Sequence, residues 1–410
     1  MNNYKKIILN NGIPLYLYNN PSLKQVCVNY IVKYGSSGEY FNFSLTGEEH
    51  KVSSGHAHFL EHVLLEHSKY GNTLNNLIKK QYYMNAITSF NYTSFYIQGI
   101  KDIKESIKEL IEAVDIPVFG DKEVNQSRIA IIEEAKGLCD NKLDKIPKLV
   151  KKNLYKSVDL YDDTLTSIGD SIINENITTK DLQLCYDAFY NDDNKVLVML
   201  GNLDEKELVD YLNEIYDNIP KHKSNLILPN YDYEPIRKDI DFFDSNLESC
   251  YHGFGFKIKK PNSLNKRDME LVIDFMISNA LGEETIQYNG NSKIIDNIIN
   301  IDLGNQGDYY DLSLCVSTSK PDVLLEIFVK KMNKKIKEHN YRLIMKSSIA
   351  DEIRLMDDKY IRPQLFPTRM NATTDYSDLD YLRSIDYEKF ISMSEDVKID
   401  DKTIVKTKKR

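Results

Sequence analysis

Apolar and polar residues alternate in several short segments of the first half of the chain, and these segments are predicted strands. The first two, Lys6–Leu9 and Pro14–Tyr18, flank Asn11-Gly12, a dipeptide typical of the turn in a β-hairpin. Apolar spacings of three and four residues predict a helix that begins near Ile103 and ends near Pro117, and a second helix that follows it. Further strands are predicted at 25–34, 92–99 and 195–200.

Two stretches between these elements differ in character. Residues 35–54 are mostly polar and are predicted to form a loop, after which Gly55 opens a helix that runs past His62. Residues 222–239 are also polar and contain two prolines, which is typical of a linker.

The second half repeats the style of the first, with strands predicted at 250–256 and 308–316 and helices at 268–281 and 323–336. Strands and helices without regular βαβ alternation indicate the α+β class. We therefore predict two domains, 1–221 and 240–410, each a mainly antiparallel sheet covered by helices and joined by the linker.

Composition and charge exclude several classes of function. The net charge is −9 and basic residues are spread along the 410 residues, which argues against a nucleic-acid-binding protein. A basic C-terminal tail, 402–410, is expected to be solvated. Neither a signal peptide nor a membrane span is predicted. Five scattered cysteines favour a reducing, cytoplasmic location over a disulfide framework.

The strongest chemical signal is the segment His58-Phe59-Leu60-Glu61-His62. On a helix, His58 and His62 lie one turn apart on one face, so both imidazoles can reach one ion, and Glu61 shares that face. The spacing H-x-x-E-H is the inverted form of the zinc-binding H-E-x-x-H helix. The two histidines are therefore predicted zinc ligands, and Glu61 is the predicted general base that takes a proton from the attacking water.

The alternative is a helix that carries these polar residues without a metal. Apolar neighbours make the helix mostly buried, and burial of two histidines and a glutamate without a partner would cost several kcal/mol. A catalytic zinc needs a third protein ligand. The next predicted helix offers Glu133 and Glu134 on an otherwise apolar stretch, and helix phase alone does not separate them.

At these residues the sequence resembles the pitrilysin/insulinase family of zinc metallopeptidases, the inverzincins, and above all its short bacterial members, which are often encoded as pairs. The segment 55–62 is similar to the active-site helix of the family, 34–39 to its opening strands and 85–96 to the strand that follows. The resemblance extends through 181–201.

The resemblance implies further roles. It favours Glu134 over Glu133 as the third Zn²⁺ ligand. It implies an extended peptide substrate that adds a strand beside the zinc, at Asn85, Ala86 and Thr88. Family enzymes enclose a chamber with four such domains, which implies a homologous partner chain, as a heterodimer or a homodimer. Some short members mature peptide products.

Two departures from the family pattern stand out. Position 127, seven residues before Glu134, is a serine where the family often has an acidic residue that tunes a ligand. The second half has no zinc motif, and it lacks the arginine that precedes a substrate-holding tyrosine in the family. Tyr310, or its neighbour Tyr309, could be that tyrosine.

The leading hypothesis is therefore a zinc endopeptidase that cleaves short or unfolded peptides. One alternative is a non-catalytic or weakly active peptide-binding subunit of a heteromeric peptidase, which the intact His58, Glu61 and His62 set disfavours. Another is a metallohydrolase with a non-peptide substrate, which the resemblance disfavours.

Overall fold

The computed structural model describes residues 5–35, 40–43, 48–52, 55–89, 92–100, 103–139, 145–155, 177–221, 226–227, 235–245, 251–282, 287–288, 292–306, 309–357 and 378–409. These residues group into two compact units. The first takes its described residues from 1–138, 163–229 and 355–377, and the second takes its own from 139–162, 230–354 and 378–410. Most of the predicted linker lies outside the described residues, so the domain boundaries stay a prediction.

The main sheet of the first unit has, among the described residues, the strand order β1-β2-β8-β3-β7-β6. Every neighbouring pair is antiparallel except β2 and β8. Strand β6 lies at one edge of the sheet. The strands are β1 Lys5–Ile8, β2 Pro14–Asn19, β3 Val26–Val32, β6 Tyr83–Thr88, β7 Thr93–Gly99 and β8 Lys195–Gly201.

The predicted loop between residues 35 and 54 is wrong in part. Strands β4 (Tyr40–Phe43) and β5 (Glu48–Lys51) form an antiparallel pair there, and β4 also pairs with β9 (Leu226–Ile227). Strand β5 is polar, whereas β4 carries Phe41, which is buried in the core. Strands of four residues within a mostly polar stretch give a pattern too short to be distinguished from a loop.

Helices of the first unit cover the main sheet, and the helix that carries the H-x-x-E-H segment contacts both β6 and β7. The helices are α1 His56–Glu66, α2 Thr73–Lys79, α3 Lys104–Asp115, α4 Asp121–Cys139, α6 Thr179–Phe189 and α7 Glu205–Asp217. Apolar side chains of these helices and of the sheet form a large buried core, and further apolar side chains of β2, β3 and β8 form a second, smaller buried cluster.

A buried ion pair fastens the central strand β8 to α3. Lys195 Nζ lies 2.8 Å from Asp115 Oδ1, and both side chains are 1% exposed. The Tyr30 hydroxyl on β3 donates a 2.7 Å hydrogen bond to the same carboxylate. Burial, and then the negative charge of Asp115, hold the pKa of Tyr30 well above its usual range. The buried charges of Lys195 and Asp115 therefore compensate each other.

The second unit is built on a sheet of order β10-β16-β11-β15-β14, antiparallel except for the pair β10 and β16. Its strands are β10 Ile240–Ser245, β11 Tyr251–Lys259, β14 Asn297–Gln306, β15 Tyr309–Ser317 and β16 Ile399–Lys409, with a separate pair β12 Gln287–Tyr288 and β13 Ser292–Lys293. Its helices are α5 Lys145–Leu154, α8 Lys266–Ala280, α9 Pro321–Met332, α10 Glu338–Asp357, α11 Asp378–Ser384 and α12 Tyr387–Ser394.

Helix α5 belongs to this second unit although it precedes α6 of the first unit in the chain. It packs directly on β11, where Gly253 and Gly255 leave room for it. An added Cβ at Gly253 would lie 2.4 Å from a methyl carbon of Val150, and one at Gly255 would lie 2.6 Å from the other. The two glycines therefore permit the close approach of helix and strand.

The expectation of a solvated basic tail is wrong in part. Residues 402–409 lie in β16, which pairs with β10 on one side and with β11 on the other, and Ile404 and Val405 are buried in its middle. The Lys402 side chain is exposed, as expected. The two mainly antiparallel sheets with their covering helices confirm the predicted α+β class.

Candidate metal centre

Helix α1 presents its polar residues on one face because its other residues anchor it in the core. Phe59, Leu60 and Val63 have no exposed surface. Gly55, at the N-terminal end, adopts φ 92°, a left-handed conformation that favours glycine. His58, Glu61 and His62 are consequently held together, and one ligand atom from each lies within 4.8 Å of the others.

Glu134 on α4 faces both histidines. Its carboxylate oxygens lie 3.9 Å from Nε2 of His58 and 3.4 Å from Nε2 of His62. Helix α4 is held near α1 by Arg128, whose guanidinium lies 5.3 Å from the Phe59 ring centre and donates to the carbonyl of Ile177. The two nitrogens and the carboxylate thus converge from two helices.

Glu133, the alternative that the sequence left open, is exposed and does not line the cleft formed by the described residues around the histidines. Among the described residues of α4, Glu134 alone lies within ion-pair distance of both His58 and His62. The helix phase that the sequence could not resolve is thus set by the packing of α4 on α1.

The electrostatics differ between the two histidines. Burial, and then the neighbouring charge of His62, lower the pKa of His58 to about 4. Burial also lowers the pKa of His62, but hydrogen bonds with Glu134 and Glu66 outweigh burial and raise it to about 10. The hydrogen bond with His62 lowers the pKa of Glu134. The carboxylates therefore stabilise a positive charge at the point where the imidazoles converge.

Glu61 is buried beside the histidines, and burial raises the pKa of its carboxyl to about 7 against a smaller opposing effect of Thr88. The Thr88 hydroxyl donates a 2.5 Å hydrogen bond to Glu61 Oε2. Thr88, predicted from the resemblance as a substrate contact, therefore also fixes the orientation of Glu61. A carboxyl with a pKa near neutrality can exchange a proton at physiological pH.

Sequence reasoning missed Glu66, the last residue of α1. Its Oε1 lies 3.0 Å from Nδ1 of His62, and its Oε2 accepts a hydrogen bond from the Ser127 hydroxyl on α4. The spacing of four residues after His62 was the available signal, since such pairs meet on a helix face. Ser127 itself is fully buried.

Strand β6 runs along the cleft, and Asn85, Ala86, Ile87 and Thr88 line it together with the metal-site residues. Within the described residues, the sheet order places β6 at an edge of the main sheet, where a further strand can be added. The Ser89 N–H donates to the Tyr92 carbonyl, and hydrogen-bonded and non-hydrogen-bonded pairs alternate along an antiparallel ladder, so the N–H of Ala86 points away from β7. It donates to the Asn85 side-chain oxygen, at 3.0 Å. This donor is available to an added strand.

The cleft has a volume of about 320 Å³. Leu65 and Leu74 line an apolar part of the cleft wall. The imidazoles and carboxylates described above are among the polar groups that line the rest. A concave site with few convergent polar groups is typical of ligand binding.

Tyr310 lies in the second unit on β15. Its ring is completely buried, and its hydroxyl donates a 3.4 Å hydrogen bond to the Lys266 carbonyl. Its predicted contact with substrate stays a prediction. The adjacent Tyr309 is 3% exposed, and the Lys257 ammonium lies 5.1 Å from its ring centre.

The residues present fit a zinc ion. Two imidazole nitrogens and one carboxylate are a common ligand set of catalytic zinc. The Nε2 atoms of His58 and His62 both face Glu134, and the surrounding carboxylates stabilise the positive charge that an ion would bring.

Comparisons with known proteins agree with this geometry. Residues 46–168 match the family model "Insulinase (Peptidase family M16)", and residues 176–339 match "Peptidase M16 inactive domain". The chain is 25% identical over 328 residues to the "uncharacterized zinc protease YmfH" of Bacillus subtilis, with 78% of this chain and 75% of that protein covered. It is 24% identical over 183 residues to the human mitochondrial-processing peptidase subunit beta, with 43% and 37% covered.

Solved structures share the fold. An M16-like peptidase from Alicyclobacillus acidocaldarius superposes with a TM-score of 0.82 at 18% identity, over 99% of this chain and 98% of the other. A protease from Helicobacter pylori gives 0.74 at 17% identity over the whole of both chains. In the described part of this chain, no helix has the length and hydropathy of a membrane span. The two family models together cover most of the sequence, and the chain belongs to the insulinase, or M16, family of peptidases.

Proposed function

We propose that this chain is a zinc-dependent endopeptidase that cleaves short or unfolded peptides. The observation that carries the proposal is the convergence of His58, His62 and Glu134, with the buried carboxyl of Glu61 beside them. His58, His62 and Glu134 would hold the ion. Relatives named as zinc proteases support the same class of chemistry.

Zinc, when bound, supplies a Lewis acid that lowers the pKa of water and polarises a carbonyl. Glu61 would then act as the general base for the attacking water, because one oxygen of its carboxylate lies within 4.8 Å of a ring nitrogen of each histidine. The Thr88 hydroxyl holds Oε2 of Glu61, which leaves Oε1 for that proton. The protonated Glu61 can return the proton to the amine of the leaving peptide.

The substrate would bind in extended form along β6. This strand is at a sheet edge, and its Ala86 N–H points to a side-chain oxygen of its own strand rather than to β7. An extended peptide can replace that side-chain oxygen with a main-chain carbonyl. Such pairing depends on the peptide backbone and needs a flexible segment, which favours short or unfolded peptides over folded proteins.

The enzyme would act with a homologous partner chain, with a heterodimer as the proposed form. The second half of this chain has no arginine between Arg267 and Arg342, and Tyr310 is buried with its hydroxyl bonded. A partner could supply the missing cationic and phenolic contacts to the substrate. The mitochondrial-processing peptidase relatives are themselves named as subunits.

A second candidate function is a peptide-binding subunit without activity of its own. The match to the inactive-domain model favours it for the second half, although residues 176–339, which match, include the end of the first unit. The intact set of His58, Glu61 and His62 argues against it for the first half, since binding alone does not need a buried carboxyl beside two imidazoles.

The test is cleavage of a library of unstructured peptides by the purified chain, alone and with a co-encoded homologue. Mass spectrometry would locate the cut bonds and determine the mass of the complex. We expect cleavage that stops with a zinc chelator and returns with added zinc, and that is strongest in the heteromeric complex. Absence of cleavage in both preparations, with stoichiometric zinc present, would instead favour the peptide-binding subunit. Full activity of the chain alone would refute the need for a partner.

A further inference from the structure

Glu66 contacts the side of His62 that faces away from Glu134. The distance from Glu66 Oε1 to Nδ1 of His62 is 3.0 Å, whereas Glu134 approaches Nε2 of the same ring at 3.4 Å. The two nitrogens of an imidazole point in different directions, so a carboxylate at Nδ1 is not in the position of a ligand to an ion at Nε2. Glu66 can instead fix which nitrogen carries the hydrogen.

Glu66 is itself held in place from a second helix. The Ser127 hydroxyl on α4 donates to Oε2 of Glu66, so each carboxylate oxygen has a different partner. His67 Nε2 lies 3.9 Å from the same oxygen as Ser127. Ser127 is fully buried, and its helix also carries Glu134 seven residues later. Glu66 and Ser127 therefore connect the Nδ1 side of the His62 ring to α4, the helix that carries Glu134 on the Nε2 side.

We propose that Glu66 is a positioning residue for the metal centre: it accepts the Nδ1 hydrogen of His62 and turns Nε2 toward the ion, while Ser127 holds Glu66 in that orientation. The inference rests on the proposed function, because it concerns a ligand of the proposed zinc ion. It assigns a role to a residue outside the H-x-x-E-H segment. It also gives Ser127 a role, because its hydroxyl holds the carboxylate that α1 supplies.

The test measures zinc affinity rather than activity. The purified metal-free chain is titrated with zinc in competition with a chromophoric chelator, for the wild type and for Glu66→Gln, Glu66→Ala and Ser127→Ala. Loss of a hydrogen-bond partner of a ligating histidine typically weakens metal binding by about 10–100-fold. We expect a loss of this size for Glu66→Ala. Glu66→Gln should lose less, because its amide oxygen can still accept the Nδ1 hydrogen although the negative charge is gone. Ser127→Ala should show a smaller loss in the same direction.

A swap variant separates the positioning role from general damage. The Ser127 hydroxyl contacts the Glu66 carboxylate, so a glutamate at 127 can occupy the space that Glu66→Ala vacates. We expect the double variant Glu66→Ala/Ser127→Glu to bind zinc at least about tenfold more tightly than Glu66→Ala, because it restores one hydrogen-bonded carboxylate beside His62. The visible absorption of the cobalt-substituted protein should change in Glu66→Ala and return toward the wild type in the swap.

Glu109→Gln is the matched control. Glu109 is also a buried glutamate of the first unit, paired with Lys80 at 2.8 Å, and it does not line the cleft. The inference is overturned if Glu66→Ala binds zinc within twofold of the wild type, if Glu109→Gln loses as much affinity as Glu66→Ala does, or if the swap recovers nothing. Failure of the wild type to bind zinc would instead refute the proposed function.

Discussion

Thr88 on the edge strand and Glu61 on helix α1 are joined by a 2.5 Å hydrogen bond, in which the Thr88 hydroxyl donates to Oε2 of the carboxylate. They are 27 residues apart in the sequence, and the contact ties the proposed substrate-binding strand to the proposed general base. The site is therefore built from two elements that must pack correctly before the carboxyl of Glu61 is oriented for chemistry.

The role of Glu61 can be tested by Glu61→Gln, which keeps the shape of the side chain. We expect zinc content to be unchanged and peptide cleavage to fall by at least about a hundredfold, because an amide cannot accept the proton of the attacking water. Single-turnover assays with a quenched fluorescent peptide, beside metal analysis of the same samples, measure both. Cleavage at a near wild-type rate would remove Glu61 as the base.

The proposed ligands can be tested by His58→Ala, His62→Ala and Glu134→Ala. Each removes one of three protein ligands, and we expect zinc content to fall from about one ion per chain to well below half, with loss of cleavage. Metal analysis after dialysis checks this. Glu133→Gln is the control on the neighbouring, exposed carboxylate and should retain full zinc. Full zinc in Glu134→Ala would exclude Glu134 and return attention to Glu133.

Binding of the substrate as an added strand along β6 can be tested at Ala86, whose N–H is not used within the main sheet. Ala86→Pro removes this donor but leaves the N–H groups that pair with β7. We expect kcat/KM for peptides to fall by roughly tenfold or more, the effect of one lost main-chain hydrogen bond to the substrate, while zinc content stays unchanged. Ala86→Ser keeps the N–H at similar size and should retain most activity. Equal activity of the two variants would contradict binding through this donor.

The buried pair of Lys195 and Asp115 gives a prediction on stability. Asp115→Asn removes the counter-charge at 2.8 Å from the buried Lys195 ammonium and leaves Asp192, which is farther away at 3.8 Å. We expect the free energy of unfolding to fall by up to about 3–5 kcal/mol. Urea unfolding, followed by circular dichroism, measures the change. Glu205→Gln breaks the exposed Lys5–Glu205 pair and should change stability by less than about 1 kcal/mol. A similarly small effect of Asp115→Asn would show that the buried pair does not contribute to the free energy of unfolding.

Strong local signals in the sequence predicted many elements correctly. The hairpin around Asn11-Gly12 is β1 and β2, and the apolar stripe after Ile103 is α3, which ends at Asp115, before Pro117. Elements without such signals were missed. Strands β4 and β5 have four residues each, too few for a clear pattern, and β4 also pairs with the distant β9. The basic strand β16 pairs with β10 and β11, which lie far earlier in the chain.

The sequence by itself determined the α+β class and the set of His58, Glu61 and His62, because helix geometry places residues four apart on one face whatever surrounds them. Only the tertiary structure decided that Glu134 rather than Glu133 faces both imidazoles, since this depends on how α4 packs against α1. The contacts of Glu66 with Ser127 and of Thr88 with Glu61 were likewise decided by packing. Hydrogen bonds between different helices and strands have no period along the chain, and so they become visible only when those elements are folded together.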